Sequence, residues 1–407
     1  MNLLAGKRLY CPYCYEGFTE QQIEFRCTGQ ISRTGERCYP DADEALRERT
    51  GFTGALPPTF AADGRLASAE CPRCRDDSTI RVCPVCHSQL PVFFGKVRSR
   101  LIGLVGAKES GKTVYMTVLV RELTHQLGAQ LHASILGADD STRQRFPTDY
   151  EQPLYRERRL PTPTTPAGMY RRAPLVFRFT TERSGPLHRA RPERQDWCGH
   201  GEPRHTLMSF FDPAGEELRS QQAAEDSARY LAAADGILLL LDPLQMRGAR
   251  ARAAADSRMP TSSTPADEPV NVLTSITDLI LSRNGKPKQR ISKPLAIAFS
   301  KMDVLLHDLK PTSPLLRTPA QVPYLDERES RAVHTEMQRL LAEWEGAQID
   351  QVARRHYRHY RYFGVSALGE SPTDDNRGPA RGIRPYRVGS PFVWLLAELG
   401  AIPVKRG

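Results

Sequence analysis

The run Leu101-Ile-Gly-Leu-Val-Gly106-Ala-Lys-Glu-Ser-Gly111-Lys112-Thr113 constrains the fold more than any other stretch of the chain. Its apolar first half reads as a buried strand, and Val114 to Leu127 has helical apolar spacing. Strand, G-x-x-x-x-G-K-T turn and helix together predict a phosphate-binding loop. Glycine is required at 106 and 111 so that backbone amides can approach phosphate oxygens, and the helix N-terminus adds favourable partial charge. Lys108, Glu109, Ser110 and Gly111 line such a loop. Lys112 is placed to reach the β- and γ-phosphates, and the Thr113 hydroxyl to ligate Mg2+.

Further strands should deliver the rest of a nucleotide site. Leu175–Thr180 and His205–Phe211 have strand character, and the second runs into Asp212-Pro-Ala-Gly215-Glu216. An aspartate at a strand tip can hold Mg2+ through water, and the Gly215 amide can bond a γ-phosphate. A helix over 216–234, with Leu218, Ala228, Tyr230 and Leu231 inward, precedes the all-apolar strand ending at Asp242. Lys293–Phe299 then carries Ser300-Lys301-Met302-Asp303 at its tip. A carboxylate there accepts from both N1–H and the exocyclic amine of guanine, a pair adenine lacks, while the lysine stem covers the ring. Tyr362–Val365 continues into Ser366-Ala367-Leu368, whose backbone can meet guanine O6.

Between these motifs the chain predicts a strand at Leu131–Ile135 and a long polar stretch over 137–172, where Thr162, Thr164 and Thr165 are candidates to close over the γ-phosphate. Residues 246–269, rich in Arg, Ala, Ser and Pro, read as a mobile insertion. Helices are expected over 270–282 and 327–344, the latter facing Val333, Met337, Leu340 and Leu341 inward. The basic and aromatic cluster Arg354–Arg361 suits nucleic acid, but a helix end and strand start with alternate residues solvated accounts for it better. Ser390 is expected to cap a last helix over 391–399.

Eight of the nine cysteines fall before residue 90: Cys11-Pro-Tyr-Cys14, Cys27, Cys38, Cys71-Pro-Arg-Cys74 and Cys83-Pro-Val-Cys86. C-x-x-C turns present two thiolates on one side of a tight loop, which suits tetrahedral Zn2+, and eight ligands make two sites. The ligands divide in two ways. Either Cys11, Cys14, Cys27 and Cys38 share one metal, or Cys11 and Cys14 meet Cys83 and Cys86 around an intervening insertion. His87 is a substitute ligand or, more simply, a neighbour of the site. Asp41–Thr50 reads as a short charged helix, and Cys198 as a loop residue. Few large apolar side chains occur in these ninety residues, so metal staples are needed to fold them.

Lys and Arg number 57 against 47 Asp and Glu, a net +10, compatible with acidic partners. No apolar run approaches the roughly 20 residues a membrane-spanning helix requires, and no leader is evident, so a cytoplasmic protein is expected.

The ordered set G-x-x-x-x-G-K-T, D-x-x-G, S-K-x-D and S-A-L resembles the Ras-like, translation-factor class of P-loop GTPases. More narrowly, the cysteine-rich front and the strand Ala-Asp-Gly-Ile-Leu-Leu-Leu-Leu-Asp-Pro resemble the bacterial double-GTPase proteins of conflict and defence systems. The resemblance implies an α/β fold, a mixed, mostly parallel sheet between helix layers, plus a small zinc-ribbon domain. The expected division is a double zinc ribbon over 1–95 and a GTPase domain over 96–407, with insertions near 137–172, 183–204 and 246–269. It implies GTP/GDP, Mg2+ and two Zn2+ as cofactors, and a protein effector or second GTPase as partner. The expected function is a switch with slow hydrolysis. Alternatives are a nucleic-acid-binding ribbon protein regulated by nucleotide, or a scaffold that does not cycle. Three positions depart from the pattern: Ser300 replaces the usual Asn, Glu216 the water-orienting glutamine, and Lys108 a glycine. The Glu216 charge beside a γ-phosphate predicts slow intrinsic turnover.

Overall fold

The computed structural model describes residues 8–91, 94–95, 99–107, 109–161, 174–181, 204–210, 221–261, 264–284, 289–373, 377–379 and 381–406. A seven-stranded sheet forms the centre. Its strands, in chain order, are β1 (Ser99–Gly106), β2 (Ala133–Gly137), β3 (Leu175–Thr181), β4 (Arg204–Phe210), β5 (Gly236–Leu241), β6 (Leu295–Phe299) and β7 (Tyr360–Gly364). They lie side by side as β2-β3-β4-β1-β5-β6-β7. β2, β3 and β4 are antiparallel to their neighbours within that trio, whereas β4, β1, β5, β6 and β7 run parallel. The parallel centre explains the unbroken apolar runs: all six residues of β5 and all five of β6 are buried, because both faces carry helices.

Six helices make the layers: α1 (Lys112–Thr124), α2 (Gln221–Ala233), α3 (Pro269–Asn284), α4 (Glu327–Glu343), α5 (Ala347–His356) and α6 (Ser390–Glu398). On one face, α1 and α6 bury Val118, Leu119, Phe392 and Leu395 against Ile102, Leu104, Leu238, Leu240 and Phe363. On the other, α3, α4 and α5 bury Leu273, Ile280, Met337, Leu340 and Ile349 against Ile237, Leu239, Ile297 and Phe299. None of the helices in the described residues is long and apolar enough to cross a membrane.

Four expectations need correction. Part of the polar stretch after β2 is helical: Asp139 caps a short helix, Asp140–Arg145, which leads through a wider turn of helix, Phe146–Glu151, into Gln152–Tyr155. Phe146 and Leu154 lie in the core with Tyr150 and Tyr155 packed against it, an uneven spacing that gives no readable period. Residues 246–261, expected to be mobile, are docked instead. A short helix, Arg247–Arg250, buries Ala249, and a side chain at Gly248 would lie within 2.6 Å of the Trp344 backbone. The last helix is capped by Gly389 without a side-chain bond, so Ser390 is its first residue and not its cap. The strand expected at Leu131–Ile135 begins two residues later, since Leu131 ends a short helix, Gln126–Gln130.

The basic and aromatic cluster spans the end of α5 and the start of β7. Tyr357 is buried and bonds Thr277 at 3.0 Å, and Tyr360 packs edge-on against His334. These two tyrosine rings and the buried Arg361, which donates to Ser330 and Glu327, therefore face inward, leaving Arg354, Arg355 and Arg358 exposed.

The N-terminal segment is built on knuckles. Arg8–Tyr10 pairs with Gly17–Thr19 around Cys11–Cys14, and Ala69–Glu70 pairs with Asp77–Ser78 around Cys71–Cys74. Glu24–Arg26 lies between Thr59–Phe60 and Arg81–Val82. This segment packs onto the sheet. Cys11, Tyr13, Tyr15, Phe18, Cys83 and Cys86 share one apolar cluster with Leu101, Val176 and Leu207 of β1, β3 and β4, and with Tyr230 of α2.

Candidate nucleotide site and cysteine clusters

The three C-x-x-C turns repeat one geometry. In each, the first cysteine's carbonyl accepts from the amide four residues on, and its own amide donates to the carbonyl five residues on. The residue after the second cysteine takes a left-handed conformation: Tyr15 at φ 63, Arg75 at φ 62, His87 at φ 53. Amides of Tyr13 and Val85 donate to the Cys11 and Cys83 sulfurs at 3.4 Å.

The nested division of ligands is the one adopted. Cys11, Cys14, Cys83 and Cys86 form a proximal cluster, and Cys27, Cys38, Cys71 and Cys74 a distal one, each with its sulfurs within 4.8 Å of one another. Sγ–Sγ separations are 3.7 Å for Cys11–Cys86, 3.8 Å for Cys14–Cys83, 3.6 Å for Cys27–Cys74 and 3.8 Å for Cys38–Cys71. A tetrahedron with about 2.3 Å from centre to sulfur has an edge of about 3.8 Å. All eight thiols are buried, so the donor sets fit two Zn2+ ions. His87 stays outside the proximal set: its Nδ1 is 2.8 Å from Asp43, which also pairs with Arg26 at 2.7 Å.

The proximal cluster reaches the sheet through polar bonds as well as apolar packing. Tyr15 Oη and Ser209 Oγ of β4 are 2.8 Å apart, and Ser209 Oγ donates to the Pro12 carbonyl at 3.0 Å. Tyr230 of α2 donates to the Ser209 carbonyl at 2.7 Å, and its hydroxyl accepts from the Leu104 amide at 2.6 Å. Arg229 joins Glu16 at 3.0 Å.

At the C-terminal ends of β1, β5, β6 and β7 the sequence motifs converge, the position where parallel α/β sheets bind ligands. Gly106 passes so close to β5 that a Cβ there would lie 2.3 Å from the Leu240 carbonyl oxygen. Gly111, at φ 80, begins α1 from a left-handed conformation with open space around it. Lys112 Nζ donates to the Gly106 and Ala107 carbonyls at 3.0 and 3.1 Å, curled over its own loop. Ser110 Oγ donates to Ala107 at 2.8 Å. The Glu109 carboxylate accepts from the Thr261 amide at 3.0 Å and from its hydroxyl, so the docked excursion after β5 braces this loop.

Ser300, where the motif more often carries Asn, bonds within the sheet: its amide and hydroxyl both donate to the Leu241 carbonyl, at 2.8 and 3.1 Å. Lys301 sits at φ 55, and its ammonium lies 2.6 Å from Asp242 at the tip of β5. Asp303 follows on a short helix, Met302–Asp308, with Ser366, from the turn after β7, acting on its carboxyl. Burial pushes the Asp303 carboxyl above its usual range, opposed by Ser366 and the Lys301 charge. Ser366 itself is buried and exchanges both backbone bonds with Tyr386 at 3.0 and 2.8 Å, while the half-buried Ala367 and Leu368 pack against the core. Thr113, in the first turn of α1, offers its carbonyl to Thr117 at 2.8 Å. Lys108, Asp212, Gly215, Glu216, Thr162, Thr164, Thr165 and Cys198 lie outside the described residues. Asp242 and Thr261 were not visible as site residues beforehand; the one hint was the Asp-Pro pair closing an apolar strand.

A phosphate-loop turn between strand and helix, and a seven-stranded mostly parallel sheet with the other motifs gathered at the same end, define a P-loop GTPase fold. Residues 100–368 match the model of the Double-GTPase 2 family, and the chain belongs to that family. It is similar over 96% of its length, at 29% identity, to the "Putative ESX-1 scaffolding and assembly protein SaeC" of Mycolicibacterium smegmatis, 99% of which is covered. Among solved structures it matches a GTP-binding protein of Sulfolobus solfataricus in complex with GDP at 11% identity and TM-score 0.27. That match covers 74% of this chain and 53% of the archaeal one. Another match is the Ski7 GTPase-like domain of S. cerevisiae bound to GTP, at 12% identity and TM-score 0.30, covering 74% and 50%.

Proposed function

We propose that the chain is a GTP-binding switch that uses Mg2+, turns GTP over slowly and signals by changing its surface for a protein partner. The observation that carries the proposal is the convergence of the Gly106–Thr113 loop with Lys301, Asp303 and Ser366 at one end of the sheet. Lys112 leaves its backbone carbonyls for the β- and γ-phosphates, and Thr113 and Asp212 hold Mg2+, which offsets phosphate charge. Asp303 selects guanine, Lys301 covers its face, and the Ala367 amide region meets O6. Gly215 senses the γ-phosphate and passes its state to the segment that precedes α2. Glu216, a carboxylate where a neutral amide serves better, keeps hydrolysis slow. The N-terminal 95 residues act as a double zinc ribbon and residues 96–407 as the GTPase domain. Clusters of four thiolates holding zinc suit a reducing, cytoplasmic compartment.

The scaffolding description of the SaeC protein favours a second reading, in which nucleotide sets whether the chain holds a partner and turnover is incidental. The partner is another protein, such as a second GTPase of a conflict or regulatory system. The test is equilibrium binding of GTP and ATP, with Mg2+, to zinc-loaded protein, wild type and Lys112→Ala. GTP-selective binding lost in the variant is expected, and equal binding by both proteins would refute the proposal. Partner capture with GDP and with a non-hydrolysable GTP analogue then separates switch from passive scaffold.

A further inference from the structure

We propose that Asp242 is the positioning residue for Lys301, fixing the lysine's stem as the surface on which a guanine base lies; the inference rests on the GTP-binding reading. Asp242 stands directly after β5, whose six residues are all buried, and its own side chain is 0% exposed. One carboxylate oxygen accepts from the Leu244 amide at 2.9 Å. The other lies 2.6 Å from Lys301 Nζ, on the adjacent strand tip. A carboxylate buried this far is tolerable only with a cation and hydrogen bonds on its oxygens, and here it has both.

The lysine is held at both ends. On its N-terminal side Ser300 is bonded twice to Leu241, and on its C-terminal side the Met302 amide donates to the Val365 carbonyl at 3.1 Å. Its backbone adopts the left-handed conformation, unusual for a residue with a Cβ, and its ammonium is anchored on Asp242. What remains between the two anchors is the four-carbon stem of a side chain that is 31% exposed, two residues before Asp303. A free lysine loses rotamer entropy when it is fixed. The buried carboxylate imposes that order before any ligand arrives, so less is lost on binding.

A stem that supports the ring plane acts on every purine alike, whereas Asp303 distinguishes purines by their edges. Asp242→Asn, which keeps the Leu244 bond and removes the charge, should weaken GDP and inosine diphosphate equally, by roughly tenfold, the worth of one hydrogen bond to a charged group. Lys301→Met should give a similar loss. In the double variant the two losses should not add, because they remove one interaction. The measurement is equilibrium binding of both nucleotides to wild type, the two single variants and the double variant, with zinc content and melting temperature recorded to show that each is folded. Non-additive losses with an unchanged GDP-to-inosine-diphosphate ratio support the proposal. Undiminished binding by Asp242→Asn, additive losses or an altered ratio would each overturn it while leaving the GTP reading intact. Absence of guanine-nucleotide binding by the wild type would overturn both.

Discussion

At the scale of single residues, the proposed guanine specificity is assigned to Asp303. Its carboxylate is half-buried between the tip of β6 and the turn after β7 that carries Ser366. Asp303→Asn replaces two acceptors by one acceptor and one donor. The variant should lose GTP affinity by about a hundredfold, since a donor then faces guanine's N–H groups. Xanthosine triphosphate, which presents a carbonyl at the same edge, should gain; competition binding with both nucleotides decides, and an unchanged preference would remove Asp303 from base recognition. The placement of these segments at strand ends was readable along the chain, because each follows an apolar run. The pairing of Asp242 with Lys301 was not, since it depends on β5 and β6 being neighbours across 59 residues of sequence. The role of Ser300 was likewise hidden: a serine after a strand says nothing of the Leu241 carbonyl opposite it.

Among the elements, β7 is a strand with one open edge, and α4 covers it. His334 makes the joint: its Nδ1 accepts from the Tyr362 amide at 3.1 Å, and its ring stacks on Tyr362 at 5.2 Å and 9°. An accepting nitrogen must be unprotonated. Burial first, then the Arg361 charge, lowers the His334 pKa from 6.5 to about 4. The unfolded chain therefore binds the proton more readily, so this contribution is complete above pH 6.5 and is lost as pH falls toward 4. Allowing for its partial exposure, it amounts to at most about 2 kcal/mol. His334→Gln, whose amide oxygen can still accept, should show a flatter fall in unfolding free energy over that window in parallel urea titrations; an identical slope would exclude the histidine as its source. Periodicity revealed α4 because its apolar positions recur cleanly. It missed Asp140–Tyr155, whose capping aspartate was present in the sequence but whose buried residues are too unevenly spaced to outline a face.

Across the whole molecule, the two cysteine clusters occupy unequal places. The distal one shares its apolar cluster only with residues 25–74 of its own segment, while the proximal one lies against β1, β3, β4 and α2. Spacing alone left two divisions of the ligands open, because the nested one depends on the antiparallel return of residues 81–82 beside 24–25. Cys14→Ser and Cys74→Ser should each release one Zn2+ of two. The first should also cost more than about 4 kcal/mol across the main unfolding transition, as expected when a buried ligand set is broken inside a packed core. The second should leave that transition nearly unmoved. Metal analysis with calorimetry tests both, and equal effects would mean that the clusters are equivalent.

Composition changes sharply near residue 95, yet the packing does not. Tyr15 and Pro12 hold Ser209 from one side while Tyr230 holds it from the other, and Leu101, Val176 and Leu207 have the knuckle as their cover. Severed there, the sheet would show water an oily window ringed with orphaned hydroxyls, and the knuckle would lose the floor on which it stands. The cysteine-rich front is thus no pendant carried by a nucleotide-binding body; over that part of the sheet it is the outer wall, and neither can be lent to another chain without the other.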